Sequence, residues 1–226
     1  MSETPATPAK LWDLPTRVTH WSLVVLIVTA WLSAGQQMRL HTLAGYGVIG
    51  LLVFRLYWGF FGAETARFSQ FVKGPGATVG YLKTMGWRTA ADLAGHSPVG
   101  AVSVVLLLLV MIVQAGLGLF ATDIDGIESG PLSYMVDFDT GRLASEWHEL
   151  AFRELQGLVV LHLAAIAFYA IWKRQNLITA MITGKRRFIG PAPTLKFAPA
   201  WRFVLGVVIA AAAAWLIARG LRLPKL

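Results

Sequence analysis

Five long apolar stretches constrain this chain more than any other feature. They are continuous runs without a polar alternation, and they cover residues 18–34, 43–61, 99–121, 155–172 and 203–218. An α-helix needs about 20 residues to cross a bilayer core of about 30 Å, and the three middle runs reach that length with their flanks. The first and last are shorter but end beside Trp, Arg or Lys side chains, which suit a membrane interface. Barrel strands are shorter and alternate in polarity. The sequence therefore predicts an all-α membrane protein.

Composition excludes the main soluble alternatives. Only 14% of the residues are charged and 56% are hydrophobic, whereas soluble domains carry about 25% charged residues. The absence of cysteine excludes a disulfide scaffold. The net charge of +8 could suggest nucleic acid, but the charges lie in short blocks between apolar runs, where they set membrane orientation instead. We therefore expect contact with membrane lipid and none with nucleic acid.

The first apolar run has an alternative interpretation as a signal peptide. Residues 32–35 read Leu-Ser-Ala-Gly, which resembles a small-residue cleavage site. A permanent helix fits better, because His20 lies within the segment and Asp13 and Pro15 mark a helix start. We therefore count this run as the first membrane helix.

The connections between the runs predict topology. Connections 62–97 and 173–202 are mainly basic, whereas 122–147 carries six acidic residues against Arg142 alone. Positive loops stay in the cytoplasm, so we expect a cytoplasmic N-terminus and an external acidic connection. Five spans would place the basic C-terminus outside, in conflict with this rule. A fifth helix lying on the cytoplasmic surface is therefore the alternative to a fifth span.

The chain divides into three predicted parts. Residues 1–182 hold a four-helix core, 183–200 form a basic cytoplasmic linker rich in proline and glycine, and 201–226 form an extra C-terminal hydrophobic helix with its tail.

Four of the five histidines lie in or at the ends of predicted spans, where ionisable side chains are costly and mark candidate sites. His148 and His162 are 14 residues apart, so they lie within about 40° of one helix face and about 21 Å apart along the axis. Depth pairs His162 with His20 near the cytoplasmic side and His148 with His41 near the outer side. A lone histidine there would more often serve an interhelical hydrogen bond.

Two histidine pairs at two depths predict two bis-histidine haems, because haem iron takes axial ligands from opposite sides and facing helices supply them. Zinc or di-iron would require cysteines, carboxylates or a third ligand nearby, and the helices lack a Glu-x-x-His pattern. The missing C-x-x-C-H motif excludes covalent attachment. The predicted cofactors are therefore two haems b, with His20, His162, His41 and His148 as iron ligands.

Two arginines are predicted cofactor-binding residues at the inner depth. Arg55 follows His41 by 14 residues, which places it about 21 Å deeper, level with His20. It either pairs with haem propionates or extends to the cytoplasmic interface. Arg17 lies three residues before His20. His96, in the connection before the third run, is expected to be a solvated loop residue, with quinone contact as the alternative.

Several segments resemble the bacterial cytochrome b561 family. They include WDLPTRVTHW at 12–21, GHSPVG at 95–100, WHE at 147–149, LH at 161–162 and the stretch from Lys173 to Gly184. The resemblance runs in order over about residues 11–187 and keeps both 14-residue spacings. The family also includes the b-type subunit of nickel-iron hydrogenases and a membrane superoxide oxidase.

This resemblance implies a four-helix core that binds two haems b with the same ligand pairs, in a bacterial inner membrane. It also implies electron exchange with quinone, such as ubiquinone, in a respiratory chain. Two features depart from the family: the connection between His20 and His41 is very short, and the fifth apolar segment lies outside the family core.

The leading hypothesis is an electron carrier between the quinone pool and an external, periplasmic partner. The acidic external connection favours a positively charged partner such as a c-type cytochrome. A superoxide:quinone oxidoreductase is the enzymatic alternative, although an anionic substrate would favour a positive funnel. A haem-bearing membrane anchor of a larger redox complex is the third.

Overall fold

The computed structural model describes residues 6–88, 94–189 and 192–222. Within these ranges the chain is mainly helical, with two short strands. The helices are α1 Leu14–Ser33, α2 Met38–Phe61, α3 Phe68–Phe71, α4 Pro75–Thr84, α5 Pro98–Phe120, α6 Phe138–Ile171, α7 Leu177–Thr183 and α8 Ala200–Ala218, and the strands are β1 Ala6–Lys10 and β2 Lys185–Ile189.

Side-chain caps fix where three of the long helices begin. The carboxylate of Asp13 accepts a hydrogen bond from the Thr16 amide at 3.1 Å, and Pro15 lies in the first turn of α1. Ser97 caps α5 and Asp137 caps α6 in the same way. Each cap satisfies an amide that the helix itself leaves unpaired, so these starts follow directly from the local sequence.

In the described part of the chain, four helices are long and apolar enough to cross a membrane: α2, α5, α6 and α8. This confirms the predicted all-α membrane architecture. The first predicted span is helix α1, which is not among the four; it carries the polar Arg17 and His20.

The long helices form an antiparallel bundle in which α2 packs against α1, α5 and α8, while α6 packs against α5. The side chain of Asp13, at the start of α1, accepts a hydrogen bond at 2.9 Å from Trp58, near the end of α2. Over the most apolar 18 residues of each helix, α2 is 44% buried, whereas α5, α6 and α8 are each 11% buried. Helix α2 is therefore central, and the others leave apolar faces for lipid.

We name the two ends of the bundle outer and inner after the predicted topology and define each by its residues. The outer end holds His41, His148 and the connection 121–137, and the inner end holds Asp13 and the start of α5. Between them lies an apolar cluster drawn from α1, α2, α5 and α6, comprising Leu23, Val48, Leu52, Leu108, Met111 and Leu155.

Helix α8 runs along α2 from the inner end to the outer end. At its start, the Arg202 guanidinium donates to the Phe61 carbonyl at 3.2 Å. Past its end, the Gly220 carbonyl accepts from the Tyr134 hydroxyl at 2.7 Å, and Gly206 lies against Tyr57 where a Cβ would approach within 2.7 Å. Packing along α2 fits a membrane-spanning helix better than a helix lying flat on a surface.

Helix α6 begins 17 residues before the apolar run that predicted it. Its 34 residues extend about 50 Å, which exceeds a bilayer core by about 20 Å. The apolar run could not reveal this start, because the first half of α6 is amphipathic. The first turns of α6 therefore lie within residues 122–147, which the sequence predicted to be a connection.

The inner end carries small elements that the apolar runs do not predict. Strand β1 pairs antiparallel with β2, in a register that places Ala6 opposite Ile189 and Lys10 opposite Lys185. Part of the predicted linker 183–200 is therefore a strand. Nearby, the Tyr169 hydroxyl donates to Ser97 at 3.1 Å, which ties the end of α6 to the start of α5.

Candidate functional site

The structure brings His41 on α2 and His148 on α6 together at the outer end. Their ring centroids are 6.1 Å apart and the ring planes are inclined by 76°. Imidazole–metal bonds are about 2 Å long, so ligands on opposite sides of one metal have ring centres about 6 Å apart. The separation of this pair fits bis-histidine ligation.

Hydrogen bonds orient both outer rings. The Nδ1 atom of His41 lies 2.8 Å from the Ala30 carbonyl, and that of His148 lies 2.8 Å from the Gln114 carbonyl. A carbonyl can only accept, so each Nδ1 carries the proton and each Nε2 keeps its lone pair. Metal-binding histidines are oriented in this way. The His148 Nε2 lies 3.1 Å from the side-chain nitrogen of Gln114, which must turn away before a metal can bind.

A cavity of about 600 Å³ surrounds the outer pair, within the range of about 300–1,000 Å³ found for cofactor sites. Gly118 lines it, and a Cβ there would lie 2.8 Å from the Cε1 atom of His148. Only glycine allows this ring its position. The remaining lining is largely apolar and includes Ile27, Trp31, Val48, Met111, Phe152 and Leu155.

At the inner end, the structure places His20 on α1 and His162 on α6 close enough to interact electrostatically. Both side chains are half-buried. The Nδ1 atom of His20 is buried without a hydrogen-bond partner among the described residues. Its ring packs edge-on against Trp21, with the centroids 5.1 Å apart. The inner pair therefore lacks the orienting carbonyl that His20 would need to match the outer rings.

Arg55 lies inside the inner end, with 8% of its surface exposed. Its guanidinium donates to the Ala66 carbonyl at 3.3 Å and lies over the Phe68 ring at 5.1 Å. The nearest acidic influence is Asp13, whose carboxylate already accepts from Thr16 and Trp58. Arg55 is thus a buried cation that a further anionic group could neutralise.

His96 lies in the inner end and is not the solvated loop residue that the sequence suggested. Its ring packs against Trp12 and Phe71 at centroid distances of 4.8 and 4.6 Å. Burial lowers the pKa of His96 to about 3, with smaller contributions from Arg55 and His162. The surrounding aromatic side chains come from distant parts of the chain, so the local sequence could not reveal this burial.

Arg17 makes a different contact from Arg55. Its guanidinium donates to the Ile182 carbonyl at the end of α7, and its Nε is buried without a partner among the described residues. The observed contact fixes α7 against α1.

The sequence interpretation missed Gln114 and Gly118, both on α5. Gln114 had a usable signal, because it is a polar amide within a strongly apolar run. Gly118 had none, since glycine in membrane helices often serves helix packing.

Within the described ranges, no group of three or more His, Cys, Asp or Glu side chains could hold a metal ion. The donor set instead consists of paired imidazoles, which suits haem iron.

Comparison with known proteins identifies the family of the chain. The family model for prokaryotic cytochrome b561 matches residues 11–184. No curated protein and no solved structure matches the chain. The match spans α1 to α7 and excludes α8. The chain therefore belongs to the prokaryotic cytochrome b561 family of membrane-embedded, haem-binding electron-transfer proteins.

Proposed function

We propose that the chain binds two haems b and transfers electrons between the quinone pool and an external redox partner. The outer haem is held by His41 and His148, and the inner haem by His20 and His162. The observation that carries this proposal is the outer pair, with rings 6.1 Å apart and both Nδ1 atoms on backbone carbonyls. A bound haem b supplies reversible one-electron exchange.

The outer residues hold and shield the cofactor. The carbonyls of Ala30 and Gln114 orient the two rings and hold the proton on Nδ1, so that each Nε2 keeps its lone pair, and Gly118 leaves room for His148. The apolar lining excludes water from the ligating atoms. Residues of the connection 121–137, including Asp123 and Glu128, line this cavity, so a partner bound at the outer end lies close to it.

The inner residues provide positive charge. Arg55 is buried, and the carboxylate that acts on it, Asp13, already accepts two other hydrogen bonds. Arg55 therefore fits a haem propionate better than a side chain that extends to the interface. Arg17 also lies near His20 in sequence, and we propose a weaker charge contribution from it. Such cations favour the reduced, more negative form of a nearby haem.

The proposed setting is a bacterial inner membrane, with the inner end in the cytoplasm. Basic side chains in connections 62–97 and 173–202 support this orientation through the positive-inside rule. Ubiquinone is the proposed substrate among the quinones.

The superoxide:quinone alternative fits the outer end less well. Three carboxylates line the cavity, from Asp123, Glu128 and Glu149, against the single cation of Arg142. An anionic substrate would meet net negative charge there.

Purified protein tests the proposal. We expect two haems per chain, a b-type reduced-minus-oxidised spectrum and reduction of both haems by ubiquinol in liposomes. Haems that do not respond to any quinone or quinol would contradict the electron-carrier function and favour the membrane anchor.

A further inference from the structure

The connection between α5 and α6 begins with a hydrogen-bonded hairpin. The Asp123 amide donates to the Glu128 carbonyl at 3.0 Å, and the Gly126 amide donates to the Asp123 carbonyl at 3.3 Å. Thr122 and Ser129 form an antiparallel bridge below them. Gly126 has φ +69°, a left-handed conformation that glycine adopts without strain. We call residues 122–129 the outer hairpin.

Two isoleucines project from the tip of the outer hairpin. Ile124 is 76% exposed and Ile127 is 81% exposed, the highest values for large apolar side chains in the described ranges. Both belong to a polar segment outside the spans, where large apolar side chains exposed together commonly mark an interaction surface. The hydrogen bonds of the hairpin hold them outward.

The base of the hairpin is fixed to α6. The Thr122 carbonyl accepts from the Arg142 guanidinium at 3.0 Å and from the Ser145 hydroxyl at 2.7 Å. Asp123 and Glu128 also line the cavity that contains His41 and His148. Anything that binds the tip is therefore held beside the outer histidine pair.

The charges around the tip indicate what binds there. In the sequence, Asp123, Asp125 and Glu128 alternate with the two isoleucines. Asp125 and Glu128 are exposed, so carboxylates flank the apolar side chains at the tip. Protein interfaces have this plan of an apolar core and a polar rim, and complementary charge steers the encounter. Insertion of the isoleucines into lipid would bring the carboxylates of Asp125 and Glu128 towards the bilayer, where taking a charge out of water is costly.

We propose that the outer hairpin docks a soluble redox protein with a positively charged surface around an apolar patch at its cofactor edge. Ile124 and Ile127 bury against the apolar patch, and the exposed carboxylates of Asp125 and Glu128 face its lysines and arginines. This proposal rests on the proposed function. One quinol then supplies two electrons, which reduce two molecules of a one-electron partner, and two protons are released.

The test uses mitochondrial cytochrome c, a strongly basic one-electron acceptor, and the haem-loaded protein in nanodiscs of neutral phosphatidylcholine. Binding of cytochrome c is measured first, because it does not depend on quinol. We expect Ile124→Ser/Ile127→Ser to raise the half-saturating concentration about tenfold, equivalent to about 1.4 kcal/mol. Asp125→Asn should weaken binding at low salt and flatten its salt dependence.

Ile178→Ser is the matched control, because Ile178 is an exposed isoleucine on α7 at the inner end. It should bind cytochrome c as the wild type does, and every variant should keep the wild-type haem spectrum. Binding by the double variant within twofold of the wild type would overturn the docking proposal. Failure of ubiquinol to reduce the wild-type haems would contradict the proposed function, while the binding comparison would still decide the docking proposal.

Discussion

The two histidine pairs are built differently, although sequence spacing makes them look equivalent. At the outer end, both rings donate to backbone carbonyls and face each other across a cavity. At the inner end, the Nδ1 of His20 has no partner in the described residues, and the buried cation of Arg55 lies nearby.

The difference separates two ways of building a cofactor site. Hydrogen bonds that orient a ligand before binding reduce the ordering that binding requires. A buried cation without a dedicated anion instead acts on the charge of whatever binds beside it. We therefore expect the outer pair to respond most to changes in packing and the inner pair to changes in charge.

The largest expected effect is loss of an axial ligand. His41→Ala or His148→Ala should remove the proposed outer haem, and His20→Ala or His162→Ala the inner one, so that each variant keeps about half of the haem. His96→Ala should keep both. Haem quantification by the pyridine haemochrome method gives the result, and two full haems in any of the first four variants would refute the ligand assignment.

The sequence predicted the elements that apolar runs and caps define. Asp13 and Pro15 mark the start of α1, and the run 203–218 lies within α8. The apolar runs did not predict the first half of α6, because it is more polar than a span, although the Asp137 cap marks its start. The pairing of β1 with β2 joins distant segments, so local sequence could not predict it.

Among site residues, helical spacing placed His41 near His148, but it could not reveal the carbonyls that orient the two rings. The burial of Arg55 and the partial burial of His96 could not be predicted from the sequence either. Aromatic side chains from other parts of the chain cover these two residues, and the local sequence does not indicate such contacts.

Packing at the outer pair is tested by Gly118→Ala. The new Cβ would lie 2.8 Å from the Cε1 of His148, so the ring must shift and its bond to the Gln114 carbonyl must weaken. We expect partial loss of the outer haem or conversion of its iron to high spin, measured by electron paramagnetic resonance. Gly116→Ala is the control, because nothing lies within 4 Å of a Cβ there. Equal spectra for Gly118→Ala and Gly116→Ala would contradict the claim that packing against Gly118 positions His148.

Charge at the inner pair is tested by Arg55→Gln. Removal of a buried positive charge disfavours the reduced haem, so the inner midpoint potential should fall by about 60 mV, a tenfold change for one electron. The outer potential should change much less. Arg17→Gln is the comparison variant. Because the Arg17 guanidinium contacts the Ile182 carbonyl, its removal should lower the inner potential less than Arg55→Gln does. A redox titration in which the outer potential falls most would reverse the proposed placement of Arg55.

The smallest expected effect concerns the outer end of α6. Hydrogen bonds from Thr140 hold the pKa of Asp137 below its usual value. The cap therefore stabilises α6 fully above the pKa of a free aspartate, which is about 4. This stabilisation is lost as the pH falls through the lower pKa that Asp137 has in the folded protein. Asp137→Ala should speed hydrogen exchange in the first turns of α6 at neutral pH and leave the turns around His162 unchanged. Asp139→Ala, which removes an acid from the same turn without removing the cap, should have little effect.

The most direct test of the central claim is haem stoichiometry in paired double variants. If the histidines pair by depth, His41→Ala/His148→Ala removes both ligands of one site and leaves one haem per chain. His20→Ala/His41→Ala removes one ligand from each site and should leave none. One haem in the first variant and none in the second is the predicted result, whereas one haem in the second and none in the first would contradict the pairing.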